Sequence, residues 1–171
     1  MTLSSPATGQ PVHAPIRAGT GAVNGVAFSP NDRLVASADD DGTVTLSSPA
    51  TGQPVHAPIR AGTGGVNGVA FSPNSTLVAS ADADGTVRLW NTATGQEAGA
   101  PITAGTGAVN GVAFSPDGTL VAGAYSDGTV QTWQVPLFAD PYAALCADVG
   151  PPTKADWTQY APGEPQPSVC G

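Results

Sequence analysis

Few side chains in this chain could do chemistry. Its two histidines, His13 and His56, lie 43 residues apart in matching surroundings, each beside prolines. A catalytic histidine needs an acid and a nucleophile placed with it, and copying it into two equivalent places supplies neither, so both read as exposed polar residues. The runs Asp39-Asp40-Asp41-Gly42 and Asp82-Ala83-Asp84-Gly85 suggest calcium ligation, but the twelve-residue frame and its closing bidentate Glu are missing. Turn formation accounts for them. The segment Ala18-Gly19-Thr20-Gly21 lacks the Lys and the following helix that a phosphate loop needs. Asn74-Ser75-Thr76 matches a glycosylation acceptor, which carries weight only in a secreted chain. Cys146 and Cys170 are the only cysteines, and two thiols without further ligands fall short of a zinc site. The expectation is a non-catalytic protein with no cofactor, no metal and no catalytic residue.

The frame that carries these residues is a repeat. Residues 2–44, 45–87 and 88–130 align without gaps at a period of 43, and the first two copies differ only at Ala22/Gly65, Asp32/Ser75, Arg33/Thr76 and Asp40/Ala83. The third copy diverges further and restores bulk: Thr45 and Ser47 correspond to Arg88 and Trp90, and Asp82 to Tyr125.

Within one copy, Val66–Ser72 is short, rich in β-branched and aromatic residues, and closes at Pro73-Asn74, which predicts a strand and its stop. Leu77–Ala81 is a second strand, ended by an Asp-Gly turn that supplies positive φ. Thr86–Trp90 alternates as a third, and Gly99–Thr103 follows as a fourth, with Pro101 tolerated only at a sheet edge. Gly, Pro and β-branched residues recur too often for a helix in the unit. A sheet of four short strands cannot bury its own faces, so neighbouring copies must stack into a solenoid or a propeller.

The residues Gly-Val-Asn-Gly-Val-Ala-Phe-Ser-Pro, followed by Asp84-Gly85-Thr86-Val87-Arg88-Leu89-Trp90-Asn91, resemble the WD-repeat (WD40-type) β-propellers, in a degenerate bacterial form. The resemblance covers residues 2 to about 135. It implies an all-β fold: a partial propeller of about three four-stranded antiparallel blades plus strand fragments from Leu3–Pro6 and Pro11–Ala18. In well-kept members a buried Asp, His, Ser and Trp form a hydrogen-bonded network across each blade. Here the histidine position is Gly19, Gly62 or Gly105, and the tryptophan survives only as Trp90 and Trp133. The structural residues left are the turn aspartates Asp41, Asp84 and Asp127 with Ser37 and Ser80, Gly123 replacing the third serine. The expectation is that the network cannot form and that stability is marginal. Closed propellers use four to eight blades, so the chain is expected either to be the C-terminal part of a longer protein or to pair with a second copy by exchange of the Pro11–Ala18 strand.

The domain division expected is 1–136 for the blades and 137–171 for a tail with two short helices. Asp140-Pro141 caps one helix, and Thr153 with Asp156 caps the other. This tail resembles those that close bacterial signalling proteins carrying WD repeats, and a Cys146–Cys170 disulfide could fix it, though a reducing cytoplasm opposes the bond. Thirteen acidic against five basic residues give a net charge of −8, with the basic ones scattered singly. No nucleic-acid or membrane partner is expected from that balance. The start has neither a basic nor an apolar signal region, so a cytoplasmic location is expected. The expected function is a scaffold or sensor module that binds unidentified protein partners in bacterial signalling. A relic fragment without independent function is the alternative, and a hydrolase built on a propeller a remote third.

Overall fold

The computed structural model describes residues 15–103 and 107–135. Their strands form three antiparallel meanders. The first sheet holds β1 (Val23–Phe28), β2 (Val35–Asp39), β3 (Thr43–Ser47) and β4 (Ile59–Arg60). The second repeats it as β5 (Val66–Phe71), β6 (Leu77–Asp82), β7 (Thr86–Asn91) and β8 (Ile102–Thr103). The third has β9 (Val109–Phe114), β10 (Leu120–Tyr125) and β11 (Val130–Gln134). No helix occurs among the described residues, and none there is long and apolar enough to cross a membrane. The expected tail helices, both cysteines, His13, Leu3–Pro6 and the first half of Pro11–Ala18 lie outside the described residues.

The turns follow from local chemistry. After each inner strand a serine hydroxyl accepts the backbone N–H five residues on: Leu34 to Ser29 (2.9 Å), Leu77 to Ser72 (3.0 Å) and Leu120 to Ser115 (2.9 Å). Asn31, Asn74 and Asp117 cap the same loop by accepting from the N–H two residues later. The residue between is left-handed in every copy: Asp32 at φ 58°, Ser75 at 64° and Gly118 at 76°. The Asp-Gly turns place Gly42, Gly85 and Gly128 at φ 81°, 88° and 87°, as their sequence predicts. The fourth strand is shorter than expected. Only Ile102–Thr103 pairs with β7, because Pro101 has no N–H to give and Gly99 turns the chain at φ 100°. Isolated bridges Ser47–Pro54 and Trp90–Glu97 continue the outer edge.

Side-chain size lets the sheets stack. Ala36, Ala38, Val44 and Leu46 of the first sheet and Val66, Phe71, Val78 and Trp90 of the second share one buried cluster. Alanines on β2 leave room for the valines and phenylalanine of β5 to seat. Register shifts at Val23/Gly25 and Val66/Gly68 are bulges that re-aim the intervening asparagines. Asn24 Nδ2 then donates to the Val66 carbonyl (3.0 Å), and Asn67 Nδ2 to the Val109 carbonyl (2.8 Å), tying each sheet to the next.

Candidate functional site

Each sheet carries polar groups between its second and third strands, and the three solve the burial problem differently. In the second sheet Trp90 Nε1 donates to Ser80 Oγ (3.1 Å), which donates to Asp82 Oδ2 (3.1 Å). Thr86 Oγ1 reaches both Asp82 (3.3 Å) and Asp84 (2.6 Å). The Arg88 guanidinium lies 3.7 Å from Asp82, 3.5 Å from Asp84 and 3.3 Å from Glu97. Without the histidine the four-member network does not form in this sheet, but a shorter Trp–Ser–Asp link takes its place. Ser80 and Trp90 are linked as in the family pattern, but the buried acid is Asp82, two residues before the turn aspartate. Gly62, at the histidine position, has no side chain to offer, and a Cβ there would meet Asp84 Oδ2 at 2.9 Å.

The first sheet has no tryptophan, and hydroxyls take its place. The hydroxyls of Ser37, Thr43 and Thr45 lie 3.3 to 3.5 Å from Asp39 Oδ2, and Thr45 Oγ1 donates to the Ala18 carbonyl at 2.9 Å. Asp41 accepts from Thr43 Oγ1 (2.6 Å) and from the N–H and hydroxyl of Thr20 (2.8 Å each). The third sheet abandons the device. Tyr125 stands in place of the buried acid, Trp133 meets it edge-on at 6.2 Å, and a Cβ on Gly123 would crowd the Trp133 ring at 3.2 Å. Asp127 there accepts from the Thr129 hydroxyl (2.6 Å) and N–H (2.9 Å).

The charges respond to these settings. Burial pushes the Asp82 carboxyl up to about 6, with Ser80 opposing and Asp84 adding repulsion. Asp39 is raised by burial and by Asp41. One oxygen of each, Oδ1, is buried without a hydrogen-bond partner. Asp41 is held well below the ordinary range by the Thr43 hydroxyl and by Thr20. Asp84, though partly desolvated, is lowered by Thr86 and by Arg88. Nothing in the arrangement joins a nucleophile to a base. His56 is half-buried rather than exposed, its Nε2 3.0 Å from the Thr92 carbonyl. No group of three or more His, Cys, Asp or Glu that could hold a metal occurs among the described residues.

A surface feature does stand out. Two of the four positions at which the first two copies differ, 22/65 and 40/83, are brought together at one end of the strands, whereas 32/75 and 33/76 lie in the loop at the other end. Asp40 N–H donates to the Ala22 carbonyl (2.8 Å), Ala83 to Gly65 (2.9 Å) and Ser126 to Ala108 (2.9 Å). The pairs also meet between sheets, since a Cβ on Gly65 would lie 2.9 Å from Asp40 Oδ1 and 3.1 Å from its carbonyl. Asp40, Ala83 and Ser126 are all exposed. Sequence alone marks these positions as variable, but the pairing of 22 with 40 depends on the β1–β2 register. The buried acids Asp39 and Asp82 escape sequence reasoning that follows the turn aspartates. Their signal is position: each is the last residue of a strand read as Val-Ala-Ser-Ala-Asp.

Three stacked antiparallel meanders at a fixed period, with a Trp–Ser–carboxylate link inside and turns presented outward, define an all-β repeat protein of the propeller type. The WD domain, G-beta repeat family model matches residues 9–46, 52–91 and 100–134, and the chain belongs to that family. Among solved structures it is similar to the computationally designed Ika8 protein, with a TM-score of 0.67 and 28% identity over 78% of this chain. The match spans only 39% of the Ika8 chain. No curated protein matches.

Proposed function

We propose that the chain is a non-catalytic protein-interaction module, a scaffold or sensor whose partner is read by the row of variable turns at positions 22, 40, 65, 83, 108 and 126. Family membership supports interaction in general, as WD repeats are usually non-catalytic scaffolds. The observation that carries the assignment to this row is that two of the four differences between the first two copies, 22/65 and 40/83, fall on this one cluster of hydrogen-bonded turns. Variation on a constant frame is the pattern of a recognition surface. The setting we infer is a bacterial signalling protein, with blades over 1–136, a tail over 137–171, and this chain as its C-terminal part. Asp41, Asp84, Asp127, Ser37, Ser80, Trp90 and Trp133 are proposed as structural residues that hold the frame, and Cys146 with Cys170 as a pair able to join in the tail. The test is affinity capture with the wild-type chain against a variant in which Asp40→Ala and Ala22→Gly make the first row match the second. A protein retained by the first and lost by the second is expected. Equal retention of every captured protein overturns the assignment to this row.

A further inference from the structure

The contacts between successive blades form one set, and the chain makes that set twice. Val66 and Phe71 seat on the alanines and aliphatics of the first blade. Asn24 and Asn67 each donate to the carbonyl at the start of the next inner strand. Gly25 approaches Gly68, and Gly68 approaches Gly111, so closely that an added Cβ would stand 3.2 and 3.6 Å from the facing Cα. Gly42 and Gly85 likewise face the Gly64 and Gly107 carbonyls. The third member of every series is open. Asn110 is exposed and has no such bond among the described residues, and Gly111 and Gly128 have nothing within 4 Å. Leu120 and Val130 are 37% and 70% exposed, where Leu77 and Val87 are 3% and 0%. At the opposite end Val23 and Phe28 are 40% and 53% exposed, where Val66 and Phe71 are 0% and 9%.

We propose that the third blade of one copy docks on the first blade of a second copy, Val23 and Phe28 seating over Leu120 and Val130, with Asn110 donating to the Val23 carbonyl of the second copy. The occupant follows from the repeat. The first blade of a second copy offers the same Val, Asn, Gly and Phe that already fit this seam twice, in copies identical at these positions. These residues are uncharged, so the net charge of −8 raises no close repulsion across the contact. The contact is head-to-tail and closes if the rotation allows. Two copies supply six blades, within the four to eight of closed propellers. Thr132 stands where Leu46 and Leu89 are buried, so this seam is weaker than those inside the chain and depends on concentration. The proposal concerns the 171-residue chain by itself and does not rest on the partner-reading row.

The experiment is light scattering of the full chain over a concentration series, with Phe28→Lys, Val130→Lys and their equimolar mixture. Lysine lowers the net negative charge, so dissociation cannot come from added repulsion. The wild-type chain is expected to reach twice 16.8 kDa. Each variant alone is expected at the monomer mass with unchanged circular dichroism. The mixture is expected to regain a dimer at higher concentration than the wild type needs, because one of its two seams is intact while the other carries both lysines. A wild-type monomer, a variant that still dimerises, or a mixture that stays monomeric overturns the proposal. Affinity capture is read separately, so its failure leaves this result standing.

Discussion

Asp82→Asn should make the chain more stable at neutral pH and flatten its pH dependence. Asp82 is fully buried, and burial lifts its carboxyl from 3.8 to about 6. A raised folded-state value means that folding favours the protonated acid. The stability this contributes is complete below 3.8 and is lost as pH rises through 6. About two pH units at 1.36 kcal/mol each give a swing on the order of 3 kcal/mol between pH 4 and pH 7. Asp39, raised for the same reason, acts in the same direction. Asp41, Asp84 and Asp117 are lowered, so their contribution is present above 3.8 and is lost only as pH falls below it. Stability should therefore peak between roughly pH 4 and 5 and decline toward neutrality. Asparagine keeps an acceptor for Ser80 and Thr86 and removes the charge. The assay is urea unfolding of both proteins from pH 4 to 7.5. A variant less stable than wild type at pH 7, with the wild-type slope intact, would refute the argument that burial governs this acid.

Other outcomes follow from the repeat. Phe71→Ala should cost roughly 3 to 5 kcal/mol, whereas Phe28→Ala, at the same repeat position but 53% exposed, should barely change the monomer's unfolding midpoint. Chemical denaturation of the two at low concentration checks the contrast. Trp90→Phe should lose about 1 kcal/mol for the bond to Ser80, and Ser80→Ala combined with it should add less than the sum in a double-mutant cycle. Gly65→Ala should destabilise by about 1 kcal/mol through crowding at Asp40. Thermal melts should show that Asp40→Ala relieves only part of this cost, because the Asp40 carbonyl stays in place.

Much of the fold is legible in the sequence because the period is fixed and its turn chemistry repeats. Pro-Asn and Asp-Gly mark the turns, and Val66–Phe71, Leu77–Asp82 and Thr86–Asn91 fall where the runs between those turns, the last of them alternating, put strands. The fourth strand is the weak point. Its residues carry no alternation, and Gly99 and Pro101 remove the pairing that composition leaves open. The interior polar network is less legible, since it depends on which face each residue takes. The bulge at Val66/Gly68 and the register of β6 on β7 set Ser80 opposite Arg88 and Val78 opposite Trp90. Counting motif residues finds Asp84 and misses Asp82, because a carboxylate at a strand end reads as part of the turn until the strand is seen to run through it. The variable row is half legible: the differing positions are visible, their adjacency only through hydrogen bonds between strands.

The central claim is that each blade is held by the faces of its neighbours, and backbone hydrogen exchange read by mass spectrometry tests it most directly. The middle blade is covered on both faces, with β6 buried along its whole length, whereas β11 alternates between exposed and half-buried residues. The account predicts that β6 exchanges slowly, as do the equally buried β2 and β3, and β11 far faster. Equal protection of β6 and β11, or faster exchange in β6, would contradict it.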